Sequence, residues 1–248
     1  MRIAVAGATG TVGRHVVDIA RLRGHEVVGL SRATGQNVET GEGLDAALTG
    51  VDAVVDVTSV GSISTARSVE FFTAASEALL AAEIRRRVPH HVALSIVGID
   101  VVPHGYYAGK LAQERVVTDA VVPHSILRAT QFHEFAGQLL SQATVGPFAL
   151  VPTALLRPVA ARDVAAAIVT IAEGPPIGRA RDLRGPQDET LLGMSRRLLR
   201  AEQARRLAIG VSLPGDYWRG LRSGVLRGTA DSDEGTVTFD EWLALGGS

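Results

Sequence analysis

Residues 3–13 read IAVAGATGTVG, an apolar run followed by glycines at positions 7, 10 and 13. Ile3–Ala6 has the character of a strand buried on both faces, and Gly13–Arg23 that of the helix it runs into, closed by Gly24. Each glycine has its own physical use. Gly7 permits a tight turn out of the strand. Gly10 leaves no β-carbon where a pyrophosphate would approach, and Gly13 allows close packing of helix on sheet. The amides of Thr9, Thr11 and Val12 then lie where a helix N-terminus meets anionic phosphate. A glycine triplet alone is a weak signal. It gains weight here from the strand before it, the helix after it and a second strand, Glu26–Leu30, at the distance a dinucleotide fold requires.

Outward from this stretch, strand-like and helix-like segments alternate, the pattern of a parallel sheet covered by helices. A short helix is expected over Leu44–Leu48 and a third strand over Ala53–Val57. A long helix follows over Ser68–Arg87, stopped by Pro89, then a fourth strand over Val92–Ile96. A helix over Tyr106–Asp119 and a fifth strand over Ser125–Arg128 complete the regular part. Beyond Gln131 the rhythm loosens. Strands are expected at Phe148–Val151 and Ala180–Leu183, and helices at Arg162–Ala172 and Glu189–Ala204. Leu213–Thr229 reads as an irregular loop, and Thr238–Glu241 as a capping box opening a last short helix. The whole chain, 1–248, reads as one domain: residues 1–135 form a coenzyme-binding core and 136–248 a mixed substrate-side portion.

The 248 residues suffice to bury roughly three-quarters of the unfolded surface. With 46% hydrophobic and 21% charged residues and a net charge of −1, the composition is that of a packed globular protein. No basic face offers itself to nucleic acid. The densest basic run, Arg85-Arg86-Arg87, falls at a helix end, where cations suit the dipole. The absence of cysteine excludes disulfides, thiolate metal sites and cysteine nucleophiles. No metal-binding motif is present, and no apolar run reaches the ~20 residues of a membrane span. The expectation is a cytoplasmic protein with a small-molecule substrate and no nucleic-acid or membrane partner; a homo-oligomer is compatible with the sequence but not written in it.

The end of the second strand bears on which dinucleotide is bound. An NAD site places Asp or Glu there for the ribose hydroxyls. This chain has Leu30-Ser31-Arg32 and no carboxylate. Arg32 and Ser31 can instead supply charge-assisted and hydroxyl bonds to a 2′-phosphate, so NADP(H) is expected ahead of NAD(H).

GATGTVG after the first strand, LSIVG at the fourth strand and YYAGK opening the next helix resemble the atypical short-chain dehydrogenase/reductases, and within them the NmrA-like, NAD(P)H-binding branch. The likeness is close over residues 1–135. It continues more loosely through PVAARDVA, LRGP and FDEWLA. The resemblance implies a Rossmann-like, doubly wound parallel α/β sheet with a small C-terminal substrate-side region. It also implies that Tyr106 and Lys110, matching the family's Tyr-x-x-x-Lys pair, carry the chemistry. Residues four apart share a helical face. An ammonium ~4 Å from the phenol, at an effective dielectric near 20, would contribute about 4 kcal/mol and draw the phenol pKa towards neutrality. Lys110 is the only lysine, against 24 arginines. A compact ammonium suits the nicotinamide ribose better than a guanidinium.

Ser95 stands near the family's third member, either assisting the reaction or touching the coenzyme. Thr58 and Ser59, by the same resemblance, contact its adenosine or ribose side, and Asn37 stands where relatives touch adenine. Thr130 and Phe132, after the fifth strand, are expected to face the nicotinamide. His133 is either a substrate contact or, more in keeping with a lone loop histidine, a structural one. His90 and His91 are expected to be solvated, and Asp163 to brace a helix. Tyr217 and Trp218 either close over an apolar substrate or pack on the body or on a second subunit. The implied activity is NADPH-dependent reduction of a ketone, aldehyde, quinone or imine. A non-catalytic NADP(H)-sensing regulator is the main alternative. A nucleotide-sugar epimerase or dehydratase is a further one, which the short C-terminal portion disfavours.

Overall fold

Strands whose side chains are apolar on both faces are stable only between two covering layers, and that is how this chain is built. A computed structural model describes residues 1–142 and 144–247. The first half alternates strand and helix: β1 (Arg2–Ala6), α1 (Gly13–Leu22), β2 (Glu26–Leu30), α2 (Leu44–Ala47), β3 (Ala53–Asp56), α3 (Thr65–Arg86), β4 (His91–Ile96), α4 (Tyr106–Asp119) and β5 (His124–Ala129). The second half carries α5 (Phe135–Gln142), β6 (Thr144–Val145), β7 (Phe148–Pro152), β8 (Leu155–Leu156), α6 (Ala161–Glu173), β9 (Gly178–Arg179), β10 (Leu183–Arg184) and β11 (Glu189–Thr190). It ends with α7 (Leu191–Ala201), β12 (Leu207–Val211), α8 (Asp216–Ser223), β13 (Asp233–Glu234) and α9 (Phe239–Ala244).

The main sheet has the order β13-β10-β5-β4-β3-β1-β2, with β9 also against β5, and all its pairings are parallel. Ile3 and Val5 face the layer containing α1 and α6, whereas Ala4 and Ala6 face that of α2 and α3. This is a Rossmann-like doubly wound sheet. Because β2 and β3 flank β1 on opposite sides, the chain reverses its winding there. A crevice therefore opens at the carboxyl ends of β1 and β3, where ligands of such sheets collect.

The C-terminal third packs on that same end of the sheet. Its buried cluster joins Ile99, Val102 and Tyr107, at and just before the start of α4, to Leu156, Met194, Leu221 and Phe239. Asp163, in the first turn of α6, accepts hydrogen bonds from the Thr236 and Val237 amides at 2.7 and 3.2 Å. His133 donates from Nε2 to the Val237 carbonyl at 3.0 Å and lies against Phe239 and Trp242. Both side chains tie the segment leading into α9 to the body of the fold. The Thr238–Glu241 capping box is present.

Several expectations are corrected. The long helix begins at Thr65, not Ser68, because Ser64 caps it. The helix expected over 189–204 is shorter, starting at Leu191 after the Thr190 cap. The single strand expected at 180–183 is two short ones, β9 and β10. Residues 213–229 are not merely loop: they hold α8, whose amphipathic face buries Leu221. His90 and His91 are buried rather than solvated. His91 Nδ1 lies 2.8 Å from Glu83 Oε1 and His90 Nε2 2.8 Å from Ser125 Oγ. Arg85 pairs with Asp45, so the basic run has a structural partner. No helix among the described residues is long and apolar enough to cross a membrane.

Candidate active site

The glycine turn has the geometry its sequence implies. Gly7 has φ +84°, and a β-carbon there would sit 2.7 Å from the Val57 carbonyl oxygen, at the end of β3. A β-carbon on Gly13 would come within 2.0 Å of the Gly7 oxygen. Gly10 differs: within 4 Å its β-carbon would meet only that oxygen, at 3.2 Å. The space beside Gly10 is open, and α1 begins there without a side-chain cap or an acidic residue in its first turn. Among the described residues no hydrogen bond engages the Thr11 or Val12 amide. A cradle of free N–H groups that a single methyl would obstruct fits a pyrophosphate.

At the tip of β2, Ser31 Oγ lies 2.9 Å from Thr34 Oγ1 in a short helical turn over 32–34. Arg32 is exposed and, among the described residues, makes no ion pair. Asn37 Oδ1 accepts from the Glu39 amide at 3.0 Å, so its side chain holds its own turn.

Tyr106, Lys110 and Gln113 lie along one face of α4, and this face is pressed close to α3. A β-carbon on Gly109 would fall 2.7 Å from the backbone of Ser68 and 2.6 Å from the Phe72 ring. The close approach puts Phe72 against both Tyr106 and Lys110. Its ring meets that of Tyr106 edge-on at 5.3 Å, and the Lys110 ammonium lies 4.6 Å from its centroid. The Tyr106 hydroxyl and Ser59 Oγ are hydrogen-bonded at 3.0 Å. Lys110, 3% exposed, donates to Gln113 Oε1, and Gln113 Nε2 donates to Asp56 Oδ2 at 2.7 Å. Asp56 Oδ1 accepts from the Thr58 amide at 2.9 Å and hydroxyl at 2.7 Å.

The electrostatics overturn one expectation. Lys110 does not draw the Tyr106 phenol towards neutrality. Burial pushes the phenol up to about 12, and the Asp56 charge adds to the rise against the lowering effect of Ser59. The ammonium is turned to Gln113 instead. Burial brings Lys110 down to about 8, with Asp56 and Glu114 holding it from falling further.

Ser95, on the face of β4 towards α4, is 2% exposed, and its Oγ has no hydrogen-bond partner among the described residues. Thr130 is committed to the fold, donating to the Arg157 carbonyl at 2.6 Å. Phe132 is half-buried against the core. In the same loop the Gln131 amide and both Glu134 carboxyl oxygens are buried, the amide beside the Tyr107 hydroxyl and the carboxyl beside the Trp242 indole, and burial raises the Glu134 pKa. Tyr107 points away from Tyr106 into the C-terminal cluster. Tyr217 packs on it with ring centroids 5.0 Å apart, and Trp218 meets Tyr217 edge-on at 5.1 Å. The two late aromatics therefore pack on the body, at the start of α4. Reading the sequence missed Asp56, Gln113 and Phe72. A carboxylate at the end of an otherwise apolar parallel strand, AVVD, was the signal available for the first.

Residues 3–87 match the family described as NAD dependent epimerase/dehydratase family. No curated protein matches the chain by sequence. Among solved structures, it resembles the NADPH-dependent quinone oxidoreductase QOR2 of Escherichia coli, complexed with NADPH. The TM-score is 0.74 at 17% identity, over 99% of this chain and 100% of that one. An NAD-bound short-chain dehydrogenase/reductase superfamily protein of Agrobacterium tumefaciens gives 0.71 at 20%, over 99% and 95%. The UDP-glucose 4-epimerase of Thermotoga maritima, with UDP-glucose, gives 0.71 at 16%, over 99% and 97%. At these identities the likeness is one of fold. The last alignment spans nearly all of the epimerase, so the length of the C-terminal portion does not separate a reductase from an epimerase.

Proposed function

We propose that this chain, whose fold is that of short-chain dehydrogenase/reductases, is an NADPH-dependent oxidoreductase that reduces a small ketone, aldehyde, quinone or imine. The observation that carries the reading is the Tyr106 phenol at the carboxyl edge of the sheet, hydrogen-bonded to Ser59 and sharing a helical face with Lys110. Gly7, Thr9, Gly10, Thr11 and Val12 would hold the pyrophosphate. Ser31 and Arg32 would take the 2′-phosphate, Asn37 the adenine side, Thr58 and Ser59 the adenosine or ribose side, Lys110 the nicotinamide ribose, and Phe132 with the backbone of Thr130 the nicotinamide. Reduced nicotinamide supplies the hydride when bound.

The remaining chemistry belongs to the protein. Pushed up to about 12 by burial, the Tyr106 phenol is protonated at every physiological pH and so holds the proton that a carbonyl oxygen would take, although as a weaker acid than a free phenol. Ser95, with a buried and unpartnered hydroxyl, can hydrogen-bond the same oxygen or the coenzyme.

The NmrA-type redox sensor remains the rival reading, since it would share the coenzyme site; Tyr106 favours catalysis. The epimerase family match covers residues 3–87 and so speaks to the coenzyme half, not to the substrate. The test is NADPH oxidation against a panel of ketones, aldehydes, quinones and imines, with nucleotide sugars alongside. Tyr106→Phe is expected to abolish turnover while NADPH still binds. Turnover unchanged in that variant would remove the mechanism, and NADPH binding without turnover of any substrate would favour the sensor.

A further inference from the structure

We infer that Asp56 and Gln113 are positioning residues for the Tyr106–Lys110 pair, with one buried carboxylate setting both the loop that holds the phenol and the amide that holds the ammonium. The inference rests on the oxidoreductase reading for its purpose, but not for its test.

Asp56 and Gln113 are both 0% exposed. A carboxylate is buried at a β-strand end only if its lone pairs are occupied, and these are. The first oxygen takes both the amide and the hydroxyl of Thr58, which fixes the loop one residue before Ser59, the partner of the Tyr106 hydroxyl. The second oxygen takes Gln113 Nε2. This bond decides the orientation of the glutamine. Flipped, the amide would set oxygen against carboxylate and NH₂ against ammonium. With Nε2 committed to Asp56, Oε1 has to face Lys110. The carboxylate thus acts on the lysine twice, by its charge and by aligning an acceptor.

No other group around Lys110 does this. From α3 it meets the Phe72 ring. Glu114, on its own helix, is shared with Arg128 of β5, whose guanidinium Asp100 also engages. Among the described residues Asp56 has no arginine partner. Its charge is therefore not neutralised by a guanidinium; it acts on the Lys110 ammonium, and also raises the Tyr106 phenol and the His91 imidazole.

Lys110 is the only lysine of the chain, so ¹³Cε-lysine labelling yields one side-chain signal whose titration can be followed directly by NMR. The coenzyme-free wild type should titrate near pH 8. Asp56→Asn removes the charge and, by presenting an NH₂, favours the flipped amide with its donors towards the ammonium. The midpoint should fall by about one unit or more, the range for losing a nearby opposite charge. Gln113→Met should also lower it. Gln113→Glu, which adds a carboxylate beside the ammonium, should raise it. A purely space-filling Gln113 predicts no fall in Gln113→Met, while the rise in Gln113→Glu reports that this side chain lies beside the ammonium. Thermal unfolding checks that each variant is folded, and the two Gln113 variants keep the test intact if Asp56→Asn does not fold. A midpoint that stays put in folded Gln113→Met and Gln113→Glu would overturn the inference. If wild-type protein binds no NADPH, the oxidoreductase reading fails, yet the lysine titrations still decide this one.

Discussion

Alanine at Gly10 and at Gly13 should have opposite consequences, although the two glycines belong to one turn. At Gly10 the backbone is not left-handed, and the new methyl would meet a single atom, the Gly7 carbonyl oxygen at 3.2 Å. A shift of a few tenths of an ångström relieves that contact. The lost freedom of the unfolded chain contributes about 0.4–1 kcal/mol in the other direction. The folded protein should therefore change by less than about 1 kcal/mol. The methyl nevertheless stands where phosphate oxygens would approach the Thr11 and Val12 amides. Losing one charge-assisted bond there costs about 1.5–3 kcal/mol, or a roughly 10- to 100-fold loss of NADPH affinity. At Gly13 the methyl would lie 2.0 Å from the Gly7 oxygen, 2.7 Å from its carbon and 2.9 Å from Ala8 Cα, all of them backbone atoms. Overpacking of that severity exceeds the usual ~1–3 kcal/mol and should destabilise the fold itself. Urea unfolding and NADPH fluorescence titration separate the two effects. A folded Gly10→Ala protein that binds NADPH within about twofold of wild type would refute the cradle.

Two further outcomes follow from the same geometry. Arg32→Ala should weaken NADPH by about 10- to 100-fold, the value of one charge-assisted contact, and leave NADH unchanged; equal losses for both in a binding titration would dismiss the 2′-phosphate assignment. Stability should also respond to the buried lysine. Lys110 falls from 10.5 to about 8 on folding, so between these values the unfolded chain binds more protons and stability rises with pH, by at most about 3 kcal/mol in total. Tyr106 acts in the opposite sense above pH 10, its pKa being raised, so the rise is best read between about pH 8 and 10. Urea unfolding of Lys110→Met across this range should lack the slope, and an identical slope in both proteins would contradict the buried ammonium.

The sequence by itself determined the architecture and the glycine turn at the end of β1, because those signals are local. An apolar strand, three glycines and the start of a helix occupy eleven residues, and a glycine's value lies in its own missing side chain. The same holds for the Tyr106–Asp119 helix and the Thr238 capping box, whose partners sit within one turn. Tertiary structure alone decided what surrounds the reactive groups. Spacing put Tyr106 and Lys110 on one face but could not show that α3 presses Phe72 against both, or that the ammonium turns to Gln113. Desolvation depends on the residues packed around a group, and these come from β3, α3 and α4, up to 57 positions apart in the chain. For the same reason His90 and His91 looked solvated beside a proline but are buried against Ser125 and Glu83. The C-terminal third was least legible, because its short strands and α8 are held by long-range clasps such as Asp163 to Thr236 and Tyr217 to Tyr107. Such elements have no internal period of their own, and only the surface they dock against makes them fold.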